Sequence, residues 1–179
     1  KDSQDSSSKT FRRLVFDEIC ANLLVLSENR KKIKKHKKKK KFNFLNSNKI
    51  VESLPFELTK SQTSVLKEIN DDLKSDTRMF RIIQGDVGSG KTIVSLLSIA
   101  NVIDDKYQCA LMAPTEILAK QHFLLAKKIF INTKIKIEFL SGKTELKDRK
   151  KILKDLEGGN IHFIIGTHSL FQKKVNFNN

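Results

Sequence analysis

The chain has 179 residues, 39% of them hydrophobic, enough for the core of one ordinary domain with an appendage, and no apolar run approaches the length of a membrane span. Its formal charge of +15 puts nucleic acid first among the partners to consider, although 29 of the 35 basic residues are Lys, a bias that an AT-rich genome produces without any binding role. Cys20 and Cys109 lie far apart and form no metal or redox spacing, which fits a reducing, cytoplasmic setting.

Residues 1–10 are polar and serine-rich, with no signal-peptide core, and read as a tail. The chain opens on Lys rather than Met, as an internal piece of a longer protein would. Phe11 to Arg30 is predicted to be a helix, with Leu14, Ile19, Leu23 and Leu26 on a broad apolar stripe and Arg12, Arg13, Asp17, Glu18 and Asn22 as its polar residues. Arg30 to Lys41 holds ten basic side chains and no acid. Without this stretch the formal charge would fall from +15 to +5, so the excess is local. It is expected to continue the helix for some turns and then fray through like-charge repulsion. It reads equally as a surface for nucleic-acid phosphates or as a solvated linker.

Residues 42–53 are Asn-rich and weakly patterned, and are expected to be a linker. Thr59 and Gln62 then have capping-box spacing, which opens a helix through about Leu73 with Val65, Leu66, Ile69 and Leu73 on one face. Spacing gives Gln62 the cap; its amide also has the donor and acceptor that would match the Hoogsteen edge of adenine. Met79 to Gln84 is short, apolar-rich and β-prone, and is predicted to be a strand.

The next eight residues, Gly85-Asp86-Val87-Gly88-Ser89-Gly90-Lys91-Thr92, fit the phosphate-binding pattern G-x-x-x-x-G-K-[ST]. Gly85, Gly88 and Gly90 permit positive φ and close approach, so successive N–H groups can line an anion nest. Lys91 would reach the β- and γ-phosphates, and the Thr92 hydroxyl would hold Mg²⁺. A helix should begin near Gly90 and run to about Ile103, adding the positive end of its dipole. This context, strand then loop then helix, is what the pattern requires.

Gln108 to Ala113 reads as a buried strand, ended by Pro114, and Thr115 can cap a helix running to about Phe130. Ile135 to Leu140 reads as another strand, Lys143 to Leu156 as a helix stopped by Gly158-Gly159, and Ile161 to Ile165 as a further buried strand closing at Gly166-Thr167-His168. This alternation implies right-handed crossovers and a mostly parallel sheet with helices on both faces. The loops after the strands should then gather at one edge, where such sheets bind ligands. No acidic pair ends an apolar strand: Asp71-Asp72, Asp104-Asp105, Glu138, Asp148, Asp155 and Glu157 fall in helices, at a helix end or inside a strand.

Phe56-Glu57-Leu58-Thr59 with Gln62, Gln84 to Thr92, Ala113-Pro114-Thr115-Glu116-Ile117-Leu118-Ala119 with Gln121-His122, and Ile165 to Leu170 resemble the RecG-type ATP-dependent DNA helicases of superfamily 2, in order and in spacing. Arg13 to Glu18 resembles that family's helix between its DNA-wedge domain and its motor. The resemblance covers nearly the whole chain from Phe11. It implies a RecA-like P-loop NTPase lobe that uses ATP and Mg²⁺, acts as a monomer without a membrane, and remodels branched DNA in the bacterial cytoplasm. By motif, Phe56 and Gln62 would take adenine, Gly85, Asp86, Val87, Gly88, Ser89, Gly90, Lys91 and Thr92 the phosphates and metal, and Pro114, Thr115, Thr167 and His168 the DNA strand. The transcription-repair coupling factor is the nearest rival; Gln84, Ser89 and Glu116 stand where its pattern differs.

The resemblance implies four parts: a tail at 1–10, a basic linker helix at 11–41, a linker at 42–53 and the first part of an ATP-binding lobe at 54–179. An Asp-Glu motif and a second lobe with its arginine finger are expected beyond Asn179, so the chain reads as a fragment that binds nucleotide without helicase-rate turnover. A non-catalytic nucleic-acid-binding P-loop module is the alternative of a different class.

Overall fold

The structure, a computed structural model, describes residues 8–33, 45–172 and 175–178. It divides into two units, one of residues 1–39 with 75–82 and one of 40–74 with 83–179.

In the first unit, helix α1 spans Lys9–Ile33 and realises the predicted helix. Its apolar residues stay exposed, among them Leu14, Phe16, Leu23 and Leu26. Surface pairs one turn apart, Arg13–Asp17 and Lys31–Glu28, support it locally, each worth a few tenths of a kcal/mol by the usual ~0.2–0.5 for such pairs. The rest of the basic run, 34–41, lies outside the described residues. Met79 to Gln84, expected to be a strand, forms none, and Phe80 and Ile82 are exposed. A strand is held by ladder partners, and no strand among the described residues pairs with this segment.

The second unit is built on a parallel sheet. Strands β1 (Cys109–Met112), β2 (Ile137–Leu140) and β3 (Phe163–Gly166) lie in the order β1-β3-β2. Phe163 is in register with Cys109 on one side and Ile137 on the other. Central β3 is buried along its whole length, as a near-continuous apolar run requires. Its alternation divides the core: Phe163 and Ile165 enter the larger cluster, and Ile164 enters a smaller one with Leu140, Leu156 and Ile161. Helices α3 (Lys60–Lys74), α4 (Lys91–Asp104) and α5 (Glu116–Ile129) supply the first cluster, and α6 (Leu146–Glu157) the second. Helices on both faces of a parallel sheet match the expectation.

The connections follow the same logic. Chain order runs β1 to β2 past β3 with α5 on one face, then back to β3 with α6 on the other, so both crossovers have the same hand. Gly166 allows the sheet to end tightly, since a Cβ there would meet the Leu140 carbonyl. Burial pushes the Cys109 thiol up to about 12 from 9.0, which makes it a core group.

A second expectation needs correcting. The stretch expected to be a linker contains helix α2, Leu45–Ser53, whose Ser47 and Ile50 are buried. Ile50 belongs to the larger core cluster and Val51 packs on it. Spaced apolar positions in a nine-residue polar helix give a weak periodic signal, and tertiary burial decides the conformation.

Candidate functional site

The Thr59–Gln62 capping box forms as its spacing predicts. The Thr59 N–H donates to Gln62 Oε1 at 2.9 Å, and the Gln62 N–H donates to Thr59 Oγ1 at 3.2 Å. The other end of the same amide reaches across 27 residues: Gln62 Nε2 donates to the Ser89 carbonyl at 3.0 Å. One side chain therefore opens α3 and ties that helix start to the glycine-rich loop.

The loop is a turn in which the Ser89 N–H donates to the Asp86 carbonyl at 3.2 Å. Gly88 and Gly90 have φ of 83° and 80°, the left-handed region. Gly85 does not take a positive φ among the described residues; there glycine matters for space, because a Cβ would press on the Ser89 hydroxyl. Gly90 is the N-cap of α4 and its carbonyl accepts from Ile93 and Val94, while no side chain caps the helix. The first N–H groups of α4 are thus left for an anion. Lys91 Nζ sits in the loop's own carbonyls, 2.8 Å from Gly85 O and 2.6 Å from Asp86 O. A phosphate would compete with neutral carbonyls for this ammonium and offer it full charge.

A cavity of about 520 Å³ joins these parts. Phe56, Gln62, Gly88, Gly90 and Thr92 line it, bringing together the stretch before α3 and the loop. Lys128 and Asn132, at and after the end of α5, also line it. These two escaped sequence reasoning, because nothing local distinguishes them from the other polar residues that end a surface helix. Gly85, Asp86, Val87, Ser89 and Lys91 belong to the same loop but not to the cavity wall. Thr92 is half-buried in the first turn of α4. No cluster of three or more His, Cys, Asp or Glu able to hold a metal occurs among the described residues.

Pro114, Thr115, Thr167 and His168 form a second constellation. Thr115 caps α5, its hydroxyl accepting from the Leu118 N–H at 3.3 Å. The Ala113 N–H donates to the Gly166 carbonyl at 2.9 Å, which sets the loop after β1 beside the loop after β3. Pro114, Thr115 and His168 are exposed, and His168 opens a short 3-10 turn that ends at Phe171. None of the four lines the cavity at the glycine-rich loop. Glu116 is engaged with Lys143 at 3.6 Å.

The family model described as DEAD/DEAH box helicase matches residues 59–179. The ATP-dependent DNA helicase RecG of Aquifex aeolicus (strain VF5) is 41% identical over 171 residues, covering 94% of this chain and 21% of the relative. A Staphylococcus epidermidis RecG is 48% identical over 129 residues, covering 72% of this chain and 19% of the relative. Among solved structures, RecG bound to a three-way DNA junction superposes with a TM-score of 0.78 at 38% identity, over 86% of this chain and 21% of that one. A DNA-bound DUF1998 helicase, MrfA, shares the fold at a TM-score of 0.57 and 17% identity. The chain spans about a fifth of the length of the RecG relatives it matches.

Proposed function

Because the chain belongs to the DEAD/DEAH box helicase family, we propose that it is the nucleotide-binding part of an ATP-driven DNA motor of the RecG kind, acting on branched DNA. The observation that carries this is the Gln62 bridge. It joins the stretch before α3 to the phosphate loop around one cavity large enough for a nucleotide base and sugar. Bound Mg²⁺ would neutralise charge on the phosphates. The chain's own residues do the rest. Phe56 covers the base, Gln62 offers it an amide, and the loop N–H groups and the start of α4 receive the phosphates. Lys91 leaves the Gly85 and Asp86 carbonyls for the phosphate oxygens, and Thr92 holds the metal.

Pro114, Thr115, Thr167 and His168 contact the DNA strand, a role supported by the exposure of Pro114, Thr115 and His168 and by the hydrogen bond that sets the two loops side by side. The bacterial relatives support a place on chromosomal DNA in the cytoplasm. One observation favours a second reading, a P-loop module that binds without turnover: among the described residues no acidic pair ends a strand. Isothermal titration with MgATP and with MgGTP tests the first reading. It requires saturable binding of one nucleotide with preference for adenine; no binding at millimolar nucleotide would reject it.

A further inference from the structure

The cavity at the glycine-rich loop has one charged side chain on its wall, and it belongs neither to the loop nor to the stretch before α3. It is Lys128, in the last turn of α5. No Asp or Glu lines the cavity, and Lys91 lies off its wall. We propose that Lys128 is a further nucleotide-binding residue, whose ammonium takes the α-phosphate, the phosphate next to the sugar. This contact rests on the nucleotide reading given above, and no part of the phosphate-loop pattern supplies it.

The sequence sets Lys128 on the cavity face of α5. Leu125, Lys128 and Ile129 stand at i, i+3 and i+4, so they share one face of the helix, and all three line the cavity. Ala126 and Phe130, on a different face, are buried. The Phe130 ring meets Phe163 of central β3 edge-on, with centroids 6.1 Å apart. The Phe130 N–H donates to the Ala126 carbonyl at 2.9 Å, and Thr133 Oγ1 donates to the Phe130 carbonyl at 2.7 Å. The end of α5 is thus fixed to the sheet and closed by its own hydrogen bonds. A lysine carried there starts from a set backbone position, which lowers the ordering cost of any contact it makes.

The adjacent lysine is engaged within the protein, and Lys128 is not. Lys127 Nζ lies 4.6 Å from the centroid of the Phe123 ring, a cation–π contact one turn back along α5. Lys128 makes no hydrogen bond, ion pair or ring contact among the described residues. It is exposed, so its side chain can swing onto a ligand without leaving the core. The rest of the wall is neutral: apolar groups such as Phe56 and Ile131, with the hydroxyl of Thr92 and the amides of Gln62 and Asn132. A single ammonium on a neutral wall suits one anionic group. In the nucleotide reading the base lies at Phe56 and Gln62, and the outer phosphates go to Lys91 and the loop. The α-phosphate falls between them, beside the sugar that the cavity holds, and Lys128 is the one cation on the wall to meet it.

The test measures binding of adenosine, AMP and MgATP to the 179-residue chain, by ligand-detected NMR and calorimetry. AMP is expected to bind the parent chain more tightly than adenosine does. Lys128→Met should abolish that advantage and weaken MgATP by about three- to tenfold, less than a buried charge-assisted hydrogen bond gives because solvent screens an exposed lysine. Lys128→Arg should keep most of both, since a guanidinium also pairs with phosphate. A lysine that serves only the end of α5 would lower Tm on replacement and leave the ratio of AMP to adenosine affinity unchanged, and that result would overturn the contact. Equal losses for adenosine and AMP would put Lys128 against the base or sugar and overturn it too. If AMP binds the parent no better than adenosine while MgATP binds saturably, the Lys128 contact is wrong and the proposed function stands. If MgATP does not bind the parent at all, both fall.

Discussion

Replacing Gln62 by Glu separates two roles that one amide performs. Glu keeps an oxygen that can accept the Thr59 N–H, and Glu at this position of the capping box is as common as Gln. It has no N–H for the Ser89 carbonyl or for the base. The lost exposed hydrogen bond costs about 0.5–1.5 kcal/mol, and a carboxylate in the first turn of α3 returns about 0.3–1. The net change in folding stability is therefore within about 1 kcal/mol, a Tm shift of a few degrees at roughly 2–4 °C per kcal/mol for a chain of this size. Gln62→Ala loses the cap as well, about 0.5–2 kcal/mol more.

Nucleotide binding should sort the variants differently. If the amide reads adenine, both lose about 0.5–1.5 kcal/mol toward ATP, a factor of about two to twelve, and most of their preference for ATP over GTP. The assay is thermal denaturation beside calorimetric titration of both nucleotides. A Glu variant as stable as the parent and with the parent's full preference for ATP would refute base reading by Gln62 and leave it a cap and loop tether.

Other outcomes are expected on the same footing. Gly90→Ala should destabilise by about 1–2 kcal/mol through its left-handed φ and also displace the Gln62 amide, so Tm and ATP preference should fall together; a change in Tm alone would separate the two. Replacing the lysines from Lys31 to Lys41 with Ser should flatten the salt dependence of duplex binding, at roughly 0.9 of slope per phosphate released, and an unchanged slope would make that run a linker. With saturating ATP, Mg²⁺ and forked DNA, phosphate release by these 179 residues should stay far below the ~1–10³ s⁻¹ of ordinary enzymes; turnover near one per second, lost in Lys91→Ala, would contradict this. Cys109 should resist thiol reagents at neutral pH. Its folded value lies above its unfolded one, so its contribution to stability is complete below pH 9.0 and is lost as pH rises toward about 12, which alkaline melting curves would follow.

The glycine-rich turn before α4, the capping box, the Thr115 cap and the stops at Gly158-Gly159 were legible in the sequence because each is written in a few adjacent residues. Those features need only local sterics and hydrogen bonds. The three strands were legible because each is a short apolar run between turn signals. Met79 to Gln84 carries the same signal yet forms no strand, since composition says that a segment fits a sheet and says nothing of whether a partner lies beside it. Helix α2 went the other way: its order comes from burying Ile50 against the core, a contact that spacing does not announce. The walls at Lys128 and Asn132 were invisible for a third reason. They are ordinary polar residues until the fold turns them toward a cavity.

The most direct measurement of the nucleotide site is calorimetric titration of MgATP into the parent chain and into Lys91→Ala. In the free loop Lys91 already holds two carbonyls, at 2.8 and 2.6 Å, so its gain on binding is the difference between those and charged phosphate oxygens. That difference is taken as about 1.5–3 kcal/mol, or roughly ten- to 150-fold in affinity. Saturable, Mg²⁺-dependent binding to the parent that weakens by this factor in the variant is the predicted result. Equal affinity in the two proteins, or heat that does not saturate in either, would contradict a nucleotide site at this loop.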